Sequence, residues 1–155
     1  MNQQQDLGAI VRTIIDSNMY MVLGTADESG HPWASPVYYA SAGYTEFYWV
    51  SSPEVRHSHN IAIRSQISIV VFNSQASIGT GQGVYMSAVA EELTGGDLDR
   101  GIEIYSRSSL GHGGHEWKQE DVRSPALYRL YRATVSEHWI LDPTSHPDHR
   151  TPITL

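Results

Sequence analysis

The chain has no cysteine among its 155 residues. That excludes disulfide frameworks, thiolate zinc sites, iron–sulfur clusters and cysteine nucleophiles. Positive charge is scarce: 10 Lys and Arg against 17 Asp and Glu leave a formal net charge of −7. Nucleic acids and anionic membrane surfaces recruit proteins through a basic footprint, so neither is an expected partner. Long apolar runs are missing too. Stretches such as Ile69-Val70-Val71-Phe72 fall far short of the roughly 18 residues a spanning helix needs. The opening Met1-Asn2-Gln3-Gln4-Gln5-Asp6 carries no basic charge, unlike a secretory signal, and a cytoplasmic protein is the expectation. Neither GxGxxG nor GxxxxGK[ST] occurs, nor the Gly-x-Ser-x-Gly elbow of serine hydrolases. His57-x-His59, His112-x-x-His115 and His146-x-x-His149 have ligand-like spacings, but no cysteine or HExxH accompanies them, and no metal is expected.

What is present is one domain's worth of chain, rich in aromatic strand formers: 9 Tyr and 4 Trp. Leu7, Ile10, Val11, Ile14 and Ile15 recur at helical spacing over residues 7–17. Strands are predicted over Tyr20–Ala26, Pro32–Ala40 and Glu46–Ser51, with Asp27-Glu28-Ser29-Gly30 as the first turn. Ser52-Pro53-Glu54 then supplies a capping hydroxyl, a first-turn proline and an acid, and predicts a helix over residues 53–64. Strands follow at Ile67–Phe72 and Gly83–Leu93, a helix at Asp97–Leu110 and a last strand at Leu127–Leu141. Residues 111–125 read as a polar loop able to close over a site. The pattern predicts a domain over residues 1–142 and an irregular tail over 143–155. Hairpin-like early strands and long later ones fit a mainly β, antiparallel barrel with attached helices better than a parallel sheet.

The chemistry-bearing stretch is the junction Val50-Ser51-Ser52-Pro53-Glu54-Val55-Arg56-His57. A helix N-terminus offers unpaired backbone N–H groups and a partial positive charge, which attract phosphate. Two hydroxyls precede that terminus here, and an Arg able to grip phosphate bidentately follows with a His. A solvated, capped surface helix is the other reading of the same residues. Trp33, Tyr38, Tyr39, Tyr48 and Trp49 crowd the second and third strands, where they can serve as core, as an interface or as walls for a flat ring.

Taken together, these features resemble the pyridoxamine 5'-phosphate oxidase-like family of FMN-binding split barrels. The resemblance spans about residues 7–142. It rests on Tyr48-Trp49-Val50-Ser51-Ser52 followed by Arg56-His57-Ser58-His59-Asn60-Ile61, on Gly30-His31-Pro32-Trp33-Ala34-Ser35-Pro36-Val37, and on Gly83–Glu91. It implies a six-stranded antiparallel split β-barrel with flanking helices, assembled as a homodimer with FMN at the subunit interface. Carried onto this sequence, Ser35, Pro36 and Val37 would contact the flavin ring. Val50, Ser51 and Ser52 would sit by the ribityl phosphate, Arg56 and His57 would bind it, and Gln82 with Gly83 would reach the ring.

This chain departs from the family pattern at two of these points. Trp33 stands where the oxidases place a phosphate-binding arginine, and His57 replaces the usual lysine, so phosphate affinity should be weaker and pH-dependent. The oxidases' C-terminal substrate segment has no counterpart either, and vitamin B6 oxidation is not implied. The resemblance therefore points to an FMN-dependent oxidoreductase acting on an unassigned small molecule, with no catalytic side chain identified. The alternatives are a deazaflavin cofactor, which the few basic residues disfavour, and a non-catalytic flavin-binding carrier or sensor dimer.

Overall fold

Apolar alternation and aromatic runs translate into one antiparallel sheet that curls on itself. The computed structural model describes the backbone of residues 3–141 and 149–155, and side chains from Asp6 onward within them. In chain order the elements are α1 (Gln3–Ser17), β1 (Tyr20–Ala26), β2 (Pro32–Tyr38), β3 (Ala40–Ala42), β4 (Glu46–Ser51), α2 (Arg56–Ile63), β5 (Gln66–Phe72) and β6 (Gly83–Glu92). Helix α3 (Gly95–Gly111), a short 3-10 helix (Gln119–Val122), β7 (Arg129–Leu141) and β8 (Arg150–Ile153) complete it. The sheet order is β2-β1-β5-β6-β7-β4-β3, with β8 added on β7. None of the described helices is long and apolar enough to cross a membrane.

Closure of the barrel depends on Tyr39. The expected Pro32–Ala40 strand divides there: β2 pairs with β1, while β3 pairs with β4 at the other end of the sheet. Tyr39 breaks the ladder because its N–H donates to Met19 O and its hydroxyl donates to Ile15 O at 2.6 Å. One bent stretch of chain thus joins the two edges. The split-barrel class matches expectation; the count rises from six strands to eight because the second strand divides and the tail adds β8. The expected irregular tail is therefore corrected at residues 150–153, where Thr151 and Ile153 pair with Ile140 and His138 of β7. Residues 142–148, which include His146 and the start of that tail, lie outside the described ones.

Two cores flank β4. Phe47 and Trp49 point into the barrel with Met21, Leu23, Ile69, Val71 and Ile140, and Val11 and Ile15 of α1 plug one end. Tyr48 points the other way, into a second cluster with Leu130, Leu98, Ile102, Tyr105 and Val122 under α3. A strand buried on both faces reads as an unbroken apolar run, which accounts for Phe47-Tyr48-Trp49-Val50. Gly101 lets α3 lie close: a Cβ there would come within 2.9 Å of the Tyr48 ring.

Residues 111–125 are tethered to α3 at three points. Ser109 Oγ donates to His115 O at 2.9 Å, Trp117 N–H donates to Ser106 Oγ at 2.8 Å, and Val122 is buried. On the side opposite the barrel interior, the registers align Pro36, Val22, Val70, Tyr85 and Trp139 in a row across five strands, and the Arg150 guanidinium lies 4.7 Å over the Tyr85 ring.

Candidate functional site

The segment after β4 does not start its helix where the sequence suggests. Ser52 Oγ accepts the Glu54 N–H at 3.1 Å, and Val55 N–H donates to Ser52 O. Ser52-Pro53-Glu54 is thus spent on a turn. The helix begins at Arg56, with Val55 at the N-cap position and no side-chain cap. Glu54 falls outside the first helical turn, so α2 has no acid there. An uncapped N-terminus leaves its first amides without side-chain acceptors and keeps its partial positive charge uncompensated.

Arg56 is exposed, and its guanidinium lies 4.2 Å from the centre of the Trp33 ring. Among the described residues it has no hydrogen-bond or ion-pair partner. A guanidinium above an aromatic ring still has N–H donors available to a further partner. The platform is itself braced. Buried Asn60 on α2 donates from Nδ2 to Thr25 Oγ1 on β1 at 3.0 Å, and Thr25 Oγ1 donates to Trp33 O at 3.4 Å. Arg64, just past the helix, donates to the carbonyls of Asp27 and Glu28 at 2.8 and 3.0 Å and ties the β1–β2 turn to α2.

His57 turns inward instead of beside Arg56. Its Nε2 lies 2.9 Å from Ser51 Oγ at the end of β4, and burial pushes its pKa below the ordinary histidine value. The imidazole is thus neutral near pH 7, where sequence reasoning anticipated a protonated partner for phosphate. Ser51 is buried to 9% exposure, so its hydroxyl serves the junction from beneath.

A groove of about 790 Å³ runs past Trp33 and Arg56, with Asp27, Glu28 and Glu54 along its wall. Two of these carboxylates are partly compensated. Asp27 Oδ1 accepts the N–H groups of Ser29 and His31, and those backbone bonds hold its carboxyl below the usual range. Glu54 lies 3.7 Å from His59 Nε2. Arg56 is the single guanidinium lining the groove.

The remaining sequence-predicted residues do not all converge here. Ser35 and Val37 are buried on the inner face of β2, and only Pro36 projects outward. Val50 packs toward the α3 cluster. Gln82 precedes β6 and Gly83 begins it; Val84 pairs with Ile140, whereas Ser51 pairs with Arg129. Those partners sit eleven residues apart on β7, roughly 36 Å at about 3.3 Å per residue. Gln82 and Gly83 therefore belong to the opposite end of the barrel. Thr25 and Arg64, which brace the platform, gave no signal beyond ordinary polar composition. Asn60 lay inside the quoted Arg56–Ile61 motif without an assigned role, and only its burial reveals one. The paired histidines diverge: His57 faces Ser51, His59 faces Glu54, His112 contacts Tyr38, and His115 packs on Trp117 at 4.4 Å.

The family model described as pyridoxamine 5'-phosphate oxidase matches residues 8–140 of this chain. No curated protein matches it in sequence. Among solved structures, a heme binding protein from Mycobacterium smegmatis superposes with a TM-score of 0.70 at 20% identity, over 91% of this chain and 55% of that one. HutZ, the heme storage protein of Vibrio cholerae, gives 0.67 at 15% identity over 84% and 90% of the two chains. An F420 reductase gives 0.61 at 11% identity over 82% and 94%. The chain spans little more than half the length of the first of these. At such identities the three share its fold.

Proposed function

Because this chain belongs to the pyridoxamine 5'-phosphate oxidase family, we propose that it binds FMN as a homodimer and supports flavin-dependent redox chemistry on a small molecule. The observation that carries this reading is Arg56: a guanidinium with no ion-pair or hydrogen-bond partner among the described residues, held over the Trp33 ring at the uncapped N-terminus of α2. Free donors beside orphan helix amides are what a phosphate group requires. The residues present fit that group.

Arg56 would hold the phosphate with the first amides of α2. Ser51 and the neutral His57 would orient the junction from below, and Trp33 would fix the plane of the guanidinium. The flavin supplies electron and hydride transfer when bound. With Trp33 in place of a second cation and His57 uncharged, one permanent charge serves the phosphate, so the affinity is modest. The three groove carboxylates favour a single phosphate over the long anionic tail of a deazaflavin.

The outer face of β2, β1 and β5 supports a dimer. Ala34, Pro36 and Tyr38 of β2, Tyr20, Val22 and Gly24 of β1, and Ser68, Val70 and Phe72 of β5 form a face with no ionised side chain. Faces lacking charge at their centre are suited to burial against a second copy. The placement of Gln82 and Gly83 far from Arg56 fits a flavin touched by both ends of the barrel only through a partner. A cytoplasmic setting is in keeping with the absence of cysteine.

The test is an absorption spectrum of the purified protein followed by titration with FMN. Saturable binding with flavin bands supports the reading, and oxidation of reduced nicotinamide by the loaded protein separates an enzyme from a carrier. Heme, named for two of the structural neighbours, would instead produce a Soret band in the same spectrum.

A further inference from the structure

A second cluster of polar side chains meets at the other end of β2, away from Arg56. Tyr38 places its Oη 2.7 Å from Ser108 Oγ and 2.7 Å from His112 Nδ1. His112 Nδ1 also lies 3.0 Å from the carbonyl oxygen of Ser108. A carbonyl oxygen can only accept, so this contact favours the tautomer with the ring proton on Nδ1. In that tautomer Nδ1 donates to the carbonyl and shares its hydrogen with Tyr38 Oη, and the Tyr38 hydroxyl donates in turn to Ser108 Oγ. Nε2 is left with its lone pair on an exposed ring. All the bonds that fix the imidazole use Nδ1, so protonation of Nε2 disturbs none of them.

The surroundings define what Nε2 can meet. Tyr20 of β1, 59% exposed, lies edge-on to Tyr38 at 6.1 Å, and Tyr105 of α3 packs edge-on from beneath at 5.7 Å. On the same helix Arg107 is engaged with Glu103 at 3.5 Å. Among the described residues no ion pair reaches His112. The cluster therefore offers an oriented hydrogen-bond acceptor beside an exposed aromatic ring, with no fixed charge to hold a carboxylate or a phosphate. Tyr38 and Tyr20 also belong to the charge-free sheet face, so the cluster borders the surface assigned above to the dimer and its cofactor.

We propose that His112 Nε2, oriented by Ser108 and Tyr38, is a proton-accepting subsite for an uncharged, flat-ring molecule bearing a hydroxyl group of the phenol or enol class. The ligand hydroxyl donates to Nε2. In a reaction its O–H bond breaks heterolytically, the electron pair stays on the ligand oxygen, and the proton goes to Nε2, giving an imidazolium and an oxyanion. The subsite's use in catalysis rests on the flavin reading; its existence does not.

Long-range proton–nitrogen NMR on flavin-free protein reads the His112 tautomer directly, and a titration with p-cresol reads the subsite. The expected results are the Nδ1–H tautomer and a saturable shift of the His112 ring signals. In His112→Asn the side-chain amide keeps the bond to Ser108 O but lacks Nε2; p-cresol affinity should fall at least tenfold with the melting temperature unchanged. An Nε2–H tautomer, no p-cresol shift in the native protein, or equal affinity in the Asn variant would overturn the proposal. The two native-protein measurements decide the matter even where the variant fails to fold. Since no flavin is present, these failures leave FMN binding untouched, and a failure of FMN to bind leaves this subsite untouched.

Discussion

Replacing Arg56 with Gln removes the one guanidinium that lines the α2 groove while leaving α2, Ser51 and the Trp33 platform in place. Arg56 is exposed and its one contact with the fold is the cation–π contact with Trp33, so the melting temperature should fall by no more than about 4 °C. FMN affinity should not. A hydrogen bond to a charged group contributes about 1.5–3 kcal/mol, which corresponds to a roughly 10- to 150-fold weaker Kd. The lower end applies because the site is open to solvent and salt. Trp33→Ala should have a smaller effect, since an exposed cation–π contact is worth about 0.5–1 kcal/mol, a loss of roughly two- to fivefold. Quenching of flavin fluorescence at two salt concentrations measures both, and the native protein should lose affinity more steeply with salt than Arg56→Gln. Riboflavin, which lacks the phosphate, should bind the two proteins equally. If Arg56→Gln bound FMN within twofold of the native protein, the phosphate would not lie on α2.

Burial lowers the His57 pKa, so FMN affinity should be flat from neutral to mildly alkaline pH. Below the ordinary histidine range the native protein should gain affinity relative to His57→Gln, compared pairwise at each pH so that titration of the phosphate itself cancels; parallel curves would show that His57 does not sense the phosphate. Buried His138, whose Nε2 bonds to Tyr44 O at 2.7 Å, is likewise held below its ordinary pKa by burial. The unfolded chain then binds more protons than the native one as pH falls through about 6.5, so stability is full above that pH and declines below it. A melting temperature that did not fall between pH 7 and 5 would contradict this. Gly101→Ala forces a Cβ within 2.9 Å of the Tyr48 ring and 3.0 Å of Leu130 and Leu93, costing about 1–3 kcal/mol by overpacking. Gly96→Ala, with nothing within 4 Å, should be neutral or stabilise by about 0.4–1 kcal/mol through the unfolded chain. Chemical denaturation distinguishes the pair, and equal effects would refute the packing argument.

Strand periodicity made most of the barrel legible because its inner face must alternate. Ile67, Ile69 and Val71 announce β5 this way, and Phe47 to Val50 announce a strand covered on both sides. What escaped has physical causes. The division at Tyr39 depends on a hydroxyl reaching Ile15 O, 24 positions away, which no local pattern records. β8 was hidden by Pro152, a residue tolerated there because the strand adds at an edge of the sheet. Ser52-Pro53-Glu54 carries every helix-start signal, yet Ser52 closes a turn first and the helix waits for Arg56. That shift bears on the proposed phosphate site: a side-chain cap would have occupied amides that a phosphate would use. The docking of residues 111–125 rests on Trp117 and Val122 finding α3, a tertiary event that polar composition disguises.

The inward turn of His57 is the clearest limit on reading the site from sequence alone. Adjacent Arg56 and His57 suggest two cations side by side, but neighbouring positions on a helix point about 100° apart. One faces the groove and stacks on Trp33. The other bonds to Ser51 and loses its charge to burial.

The most direct test of the account is a calorimetric titration of the purified protein with FMN at low salt, read beside its absorption spectrum. Saturable, stoichiometric binding that weakens at least tenfold in Arg56→Gln is the predicted result. A folded protein that takes up no FMN would contradict it, and the groove beside Trp33 would then have to be assigned to a different ligand.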